Sequence, residues 1–173
     1  MSSFAPLARA FADLGVRYVL IGVSGANVHA HRAGVIFGTL DRDVFLPCEP
    51  ENLLSAWRAC ESCGLRLTGS GEPLDQPRDL ELARRVVEHR APTRAADDDG
   101  LQVDLTMTMT GFEFEDVWAE RTSFVLEGVE VPVARLRHII ASKAAAGREK
   151  DRLFLATHDE ALRGLLAPEE GRE

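Results

Sequence analysis

The chain has 173 residues, enough for one domain with a substantial buried core. Hydrophobic residues make up 45% and charged residues 28%, the balance of a folded globular protein and not of a disordered one. A net charge of −8 argues against non-specific adhesion to DNA or to anionic membrane and leaves room only for a local basic site.

The first apolar run, Tyr18 to Val23, is too short for a membrane span and follows Arg9, Asp13 and Arg17, so neither a secretory signal nor a span is expected. Cys48, Cys60 and Cys63 are an odd set, which fits reduced thiols in a cytoplasm. Cys60 and Cys63 have redox spacing, but a helix C-terminus disfavours a thiolate, and buried small side chains are the expected role.

Phe4, Leu7, Ala8, Phe11 and Leu14 recur at helical spacing, and Gly15 supplies a stop, so residues 4–14 are read as an amphipathic helix. The run Arg17-Tyr18-Val19-Leu20-Ile21 reads as a buried strand. It ends at the small-residue cluster Gly22-Val23-Ser24-Gly25, ahead of a short helix through His31. Arg32 to Thr39, with Gly34 and Gly38, reads as a loop or a turned hairpin arm, and residues 40–46 as a second strand stopping before Pro47.

Pro50 and Glu51 begin a helix that Gly64 ends, and Leu65-Arg66-Leu67 is a short strand candidate. Residues 69–77 are read as a loop and 79–90 as a helix. Asp97-Asp98-Asp99-Gly100 is a turn into an alternating strand over 101–107. Residues 112–120 suit one or two helical turns, and 122–126 with 129–133 suit a hairpin about Glu127-Gly128. From Arg135 the pattern is helical, interrupted at Gly147 and resuming over 149–166. One domain is expected, with an α/β core over 1–132 and a helical subdomain over 133–173.

Chemistry concentrates in three acids. Side chains alternate along a strand, so Asp41 and Asp43 project from the same face. Two like charges there repel one another and resist dehydration, which a divalent cation with a taste for oxygen ligands would relieve. Asp104 lies between Val103 and Leu105, so those two face one way and the acid the other. If the strands are neighbours, the three carboxylates form a cage for one or two divalent ions, able to clamp a triphosphate and activate a hydroxyl. The turn at Gly22 would aim backbone N–H groups and a helix N-terminus at an anion, with the Ser24 hydroxyl as a further donor. Between Arg135 and Arg152 six bases stand against two acids, and Lys143 or Arg148 suits phosphate neutralisation.

These residues resemble a known family. Tyr18-Val19-Leu20-Ile21-Gly22, a short helix with His29, and Thr39-Leu40-Asp41-Arg42-Asp43 look like the minimal nucleotidyltransferases of the DNA polymerase β superfamily. Val103-Asp104-Leu105 is similar to their third-acid strand. Lys143 through Gly147-Arg148-Glu149-Lys150-Asp151 resembles the helical tail of the branch that includes abortive-infection toxins. The likeness covers residues 15–46 and 100–155.

The resemblance implies an α/β (α+β) fold, a palm-like mixed sheet flanked by helices with a helical C-terminal tail. It implies magnesium or manganese held by Asp41 and Asp43, with Asp104 as third ligand and general base. Gly22 and Ser24 would hold the nucleotide phosphates. A nucleoside monophosphate would pass from a nucleoside triphosphate to a hydroxyl acceptor, which the sequence leaves open among an RNA end, a protein hydroxyl and a small molecule. A partner protein, as in a toxin–antitoxin or phage-defence pair, belongs to the same expectation. The family pattern is broken by Val23, where a second small residue is usual, by Arg42, where an apolar one is, and by a longer interval before Asp41. Val23 and Arg42 favour one alternative, a weak or inactive palm domain acting as a binding or antitoxin-like module; a further alternative is an antibiotic-modifying nucleotidyltransferase, which shares the chemistry but not the acceptor.

Overall fold

The computed structural model describes residues 3–31, 33–38 and 41–170. Arg32, Thr39 and Leu40, which belong to the expected loop and to the start of the second strand, lie outside the described residues.

Eight strands form one mixed sheet, alternating with helices along the chain. The order of elements is α1 (Ala5–Asp13), β1 (Val19–Ile21), α2 (Gly22–His31), β2 (Asp41–Phe45), α3 (Pro50–Ser62), β3 (Arg66–Gly69), β4 (Glu72–Pro73) and α4 (Leu80–Glu88). Then follow β5 (Thr93–Ala96), β6 (Gln102–Thr106), α5 (Phe114–Ala119), β7 (Thr122–Leu126), β8 (Val129–Val133), α6 (Leu136–Ala146), α7 (Glu149–Thr157) and α8 (Asp159–Glu170). Across the sheet the strands run β4-β3-β5-β6-β2-β1-β8-β7. The pairs β2–β6 and β1–β8 are parallel; the others are antiparallel.

Alternation along the strands divides the apolar residues between two cores. Leu20, Val44, Val103, Leu105 and Ala95 face the layer of α1, α3 and α4, with Phe11 and Trp57 buried among them. Val19, Ile21 and Phe45 face the layer built by α2 and the C-terminal helices, with Ile139 and Leu162. Asp41 and Asp43 have the parity of Phe45, Asp104 is out of phase with Val103 and Leu105, and Arg94 is out of phase with Ala95. All four therefore project toward the second layer.

Most expected elements are present, and the differences have local causes. The first strand starts at Val19 and not Arg17, because the Asn52 side chain takes both backbone groups of Arg17: its Oδ1 accepts from Arg17 N–H (2.8 Å) and its Nδ2 donates to the carbonyl (3.0 Å). The cluster at Gly22 is no separate turn, since α2 begins at Gly22 itself. Residues 33–38 form no hairpin arm; Phe37 is buried there, and Asn27 bonds both its N–H (2.7 Å) and its carbonyl (2.9 Å). The expected loop over 69–77 contains β4, paired back onto β3. A strand that the sequence reading left out, β5, fills the place between β3 and β6.

Cys48, Cys60 and Cys63 are all free thiols, and Cys60 is fully buried at the end of α3, where burial pushes its thiol up to about 12. Among the described residues no helix is long and apolar enough to cross a membrane.

Candidate functional site

The parallel pairing of β2 and β6 sets Asp43 directly against Asp104, and Asp41 against Gln102. Antiparallel pairing of β5 with β6 sets Arg94 against Asp104. Register partners on adjacent strands share a face, so Arg94, Asp104 and Asp43 form a row across three strands, with Asp41 one pleat away.

Gly22 closes the row on the other side. Its φ is +63°, and a Cβ there would overlap the carboxylate oxygen Oδ2 of Asp43. Only glycine permits both the backbone angle and the approach. Gly25, one helical turn on, lets α2 lie against β1 and α6: a Cβ would sit 3.0 Å from the Leu20 carbonyl and 2.9 Å from Ile139. Two small residues thus bring the N-terminus of α2 down to the acids.

Ser24 has a different place from the one expected. It is buried, donates its hydroxyl to the Ile21 carbonyl (2.9 Å) and accepts the backbone N–H of Asp43 (3.0 Å). Its single hydroxyl proton is committed, and it stands outside the lining of the cleft described below. Ser24 fixes the backbone of Asp43; it does not present a donor to a phosphate.

Lys143 and Arg148 come from α6 and the residue after Gly147, which caps α6 in the left-handed conformation (φ +60°). Both meet Asp151, which is 1% exposed: Lys143 Nζ at 3.3 Å and Arg148 Nε at 2.6 Å. Burial works to raise the Asp151 carboxyl, but the hydrogen bonds from Arg148 and Lys143 hold it below the ordinary carboxylate range. The buried carboxylate thus anchors a largely buried Lys143 and an exposed Arg148 at the edge of the open space before the sheet.

That space is a cleft of about 830 Å³, lined by Gly22, Asp41, Asp43, Asp104, Lys143 and Arg148 among others. Six of the seven site residues expected from sequence thus meet at one cleft, and Ser24 supports it from behind. Three charged lining groups lie outside the set of expected site residues: Lys150, Asp151 and, above all, Arg94. Arg94 forks onto Asp104, with Nε at 2.7 Å and Nη2 at 3.2 Å from the two carboxylate oxygens, and its Nη2 is 4.0 Å from Asp41 Oδ2.

The electrostatics of the row are uneven. Burial, then the charges of Asp104 and Asp41, push the Asp43 carboxyl up to about 6, against the smaller opposing effect of Lys143 and Lys150. Among the described residues Asp43 has no ion pair. No group of three acid, imidazole or thiol side chains among the described residues converges as a ready cation cage. Arg94 engages both oxygens of the Asp104 carboxylate. What fits a divalent ion is the pair Asp41 and Asp43: two hard oxygen donors on one face, one of them half-desolvated and destabilised by like charge.

A smaller cleft of about 540 Å³ adjoins the first, the two sharing Thr108, Met109 and Thr110. Its lining joins the apolar Phe45, Met107, Phe112 and Phe114 to the acids Glu49, Glu113, Glu115 and Asp116 and the base Arg90.

No protein-family model and no curated protein sequence matches this chain. Among solved structures the chain is similar to the antibiotic-resistance factor ANT(2'')-Ia, known from a solution structure described as revealing substrate-regulated conformation dynamics. The identity is 16% and the TM-score 0.53, over 98% of this chain and 90% of that one. At that identity the likeness concerns the fold: a mixed sheet flanked by helices with a helical C-terminal region, of the nucleotidyltransferase-like kind.

Proposed function

We propose that this chain is a divalent-cation-dependent nucleotidyltransferase of the DNA polymerase β superfamily, moving a nucleoside monophosphate from a nucleoside triphosphate to a hydroxyl acceptor. The observation that carries the reading is the row itself: Asp43 in register with Asp104, one pleat from Asp41 and packed against Gly22, at the bottom of one cleft in a nucleotidyltransferase-like fold.

Asp41 and Asp43 would hold magnesium or manganese, which when bound neutralises phosphate charge and favours an attacking alkoxide. The triphosphate would lie between the start of α2 and the cations Lys143, Arg148 and Lys150, which take up negative charge as pyrophosphate leaves. Asp104, in register with Asp43, would accept the proton of the incoming hydroxyl through an oxygen that Arg94 gives up. Most of the rate gain would come from placement and charge neutralisation, for which a sheet-mounted row is well suited.

The adjoining cleft supports a view of the acceptor. Its lining carries four acids against the base Arg90, and two of those acids, Glu49 and Glu115, are paired with Arg17; the balance suits a neutral or cationic small molecule or a protein side chain better than an RNA end. A small acceptor agrees with the antibiotic-modifying role, and a protein acceptor with the toxin–antitoxin role. Incubation with each labelled nucleoside triphosphate, magnesium and candidate acceptors of the three classes, read as pyrophosphate release and label transfer, separates them. Release that depends on magnesium and is absent in Asp41→Asn and Asp43→Asn is expected.

One observation favours a second reading, that of a binding module with little turnover. Arg94 engages the carboxylate that the reaction needs as a base. Nucleotide binding without pyrophosphate release under every acceptor condition would support it.

A further inference from the structure

We propose that Arg94 stands in for a second cation in the carboxylate row, so that the site takes one divalent ion, on Asp41 and Asp43, while Asp104 is kept out of its coordination. The inference rests on the nucleotidyltransferase reading for the existence of the ion site and adds what governs its stoichiometry and affinity.

The geometry is that of a fixed cation and not of a wandering surface arginine. Arg94 leaves the sheet from the middle of a strand whose neighbours are clamped: Thr93 accepts the Trp57 indole N–H at 3.1 Å inside the core, and Ala95 is fully buried. Register then puts the guanidinium opposite Asp104, and the fork meets both carboxylate oxygens at 2.7 and 3.2 Å. The same Nη2 lies 4.0 Å from Asp41 Oδ2, so the positive charge bridges the two acids. Bidentate attachment of this kind is specific to arginine, whose rigid donor fork matches a carboxylate.

The charges agree. Three carboxylates and one guanidinium leave two negative charges, the complement of a single divalent ion. Without Arg94 the row would carry three, and Asp104 would be released as a further oxygen ligand beside Asp43. Asp104 and Arg94 are both partly exposed, at 28% and 46%, so the pair is accessible to exchange, and the number of ions bound reports directly on what Arg94 does.

The test is titration of manganese into the metal-free protein, following the free aqua ion by electron paramagnetic resonance, with no substrate present. Wild type is expected to bind one ion per chain, and Asp43→Asn none. Arg94→Gln is expected to bind a second ion, or the first at least about tenfold more tightly, because a positive charge a few ångströms away has been removed. Arg94→Lys keeps the charge, loses the fork, and should fall between the two; it serves the same comparison if Arg94→Gln does not fold. Stoichiometry and affinity unchanged in both Arg94 variants, or weakened binding in either, overturns the role of Arg94 while leaving the ion site in place. Two ions in wild type overturns it as well. Absence of manganese binding in wild type ends both the inference and the reading beneath it.

Discussion

Gly22 and Asp43 occupy one another's space: the Asp43 carboxylate fills the volume that any side chain on Gly22 would need. They meet because Ile21, the last residue of β1 and immediately before Gly22, is the register partner of Asp43 on β2. Gly22→Ala therefore meets two penalties, a left-handed φ of +63° and an overlap with a half-buried carboxylate. A loss of about 2 kcal/mol in unfolding free energy is expected, read by urea denaturation. The carboxylate must also move, so magnesium affinity should fall in the same variant.

Asp43 is expected to reduce the stability of the metal-free protein. Its folded carboxyl is raised to about 6 from an ordinary 3.8, through burial first and then the charges of Asp104 and Asp41. A raised folded value means stability that is present below the unfolded value and lost as pH rises through the folded one. In a chelator, wild type should thus lose stability between about pH 4 and pH 7, and Asp43→Asn should not. At pH 7.5 the variant should be the more stable of the two by about 1–2 kcal/mol, measured by thermal or urea unfolding. Added magnesium should reverse the order, since only wild type gains from the ion.

Asp151 has the opposite sign. Its carboxyl is held below the ordinary range, burial being outweighed by the hydrogen bonds from Arg148 and Lys143. It therefore contributes stability above its unfolded value of 3.8 that disappears as pH falls through the folded one. Asp151→Ala leaves Lys143, only 13% exposed, without its partner, and should cost about 3 kcal/mol. Lys143→Ala should raise the nucleotide dissociation constant in a folded protein; an unchanged constant removes Lys143 from the phosphate site.

Ser24 separates support from contact. Ser24→Ala leaves the Asp43 amide without its acceptor in a buried setting, at a cost of about 1–2 kcal/mol. Turnover should fall through misplacement of Asp43, while the nucleotide dissociation constant stays close to that of wild type. A large rise in that constant would restore Ser24 to the phosphate site.

Local pattern made most of this architecture legible. The two-residue period placed Asp41 and Asp43 on one face, and the same alternation put Asp104 opposite Val103 and Leu105. The Glu127-Gly128 turn, with φ of +49° and +79°, joins β7 and β8 as the dipeptide suggests. What stayed hidden depends on partners far along the chain. Arg94 looks like one arginine among many until β5 is recognised, and Thr93-Arg94-Ala95-Ala96 is too short and too poor in β-branched residues to announce a strand. The signal was the Asp97–Gly100 turn: a strand leaving a tight turn calls for a paired arm before it, which places Arg94 beside Asp104. The hydroxyl of Ser24 reaches the backbone of a residue 19 positions away, and Asn52 reaches Arg17 across 35, relations to which no periodicity points.

The central claim is that Asp41 and Asp43 hold a divalent ion on which a nucleoside triphosphate is bound. Calorimetric titration of each nucleoside triphosphate into wild type and Asp43→Asn, with magnesium and with chelator, tests it most directly. Binding of at least one nucleotide to wild type only when magnesium is present, and to the variant under neither condition, is the predicted result. Equal binding by wild type and variant, or binding indifferent to magnesium, would contradict it.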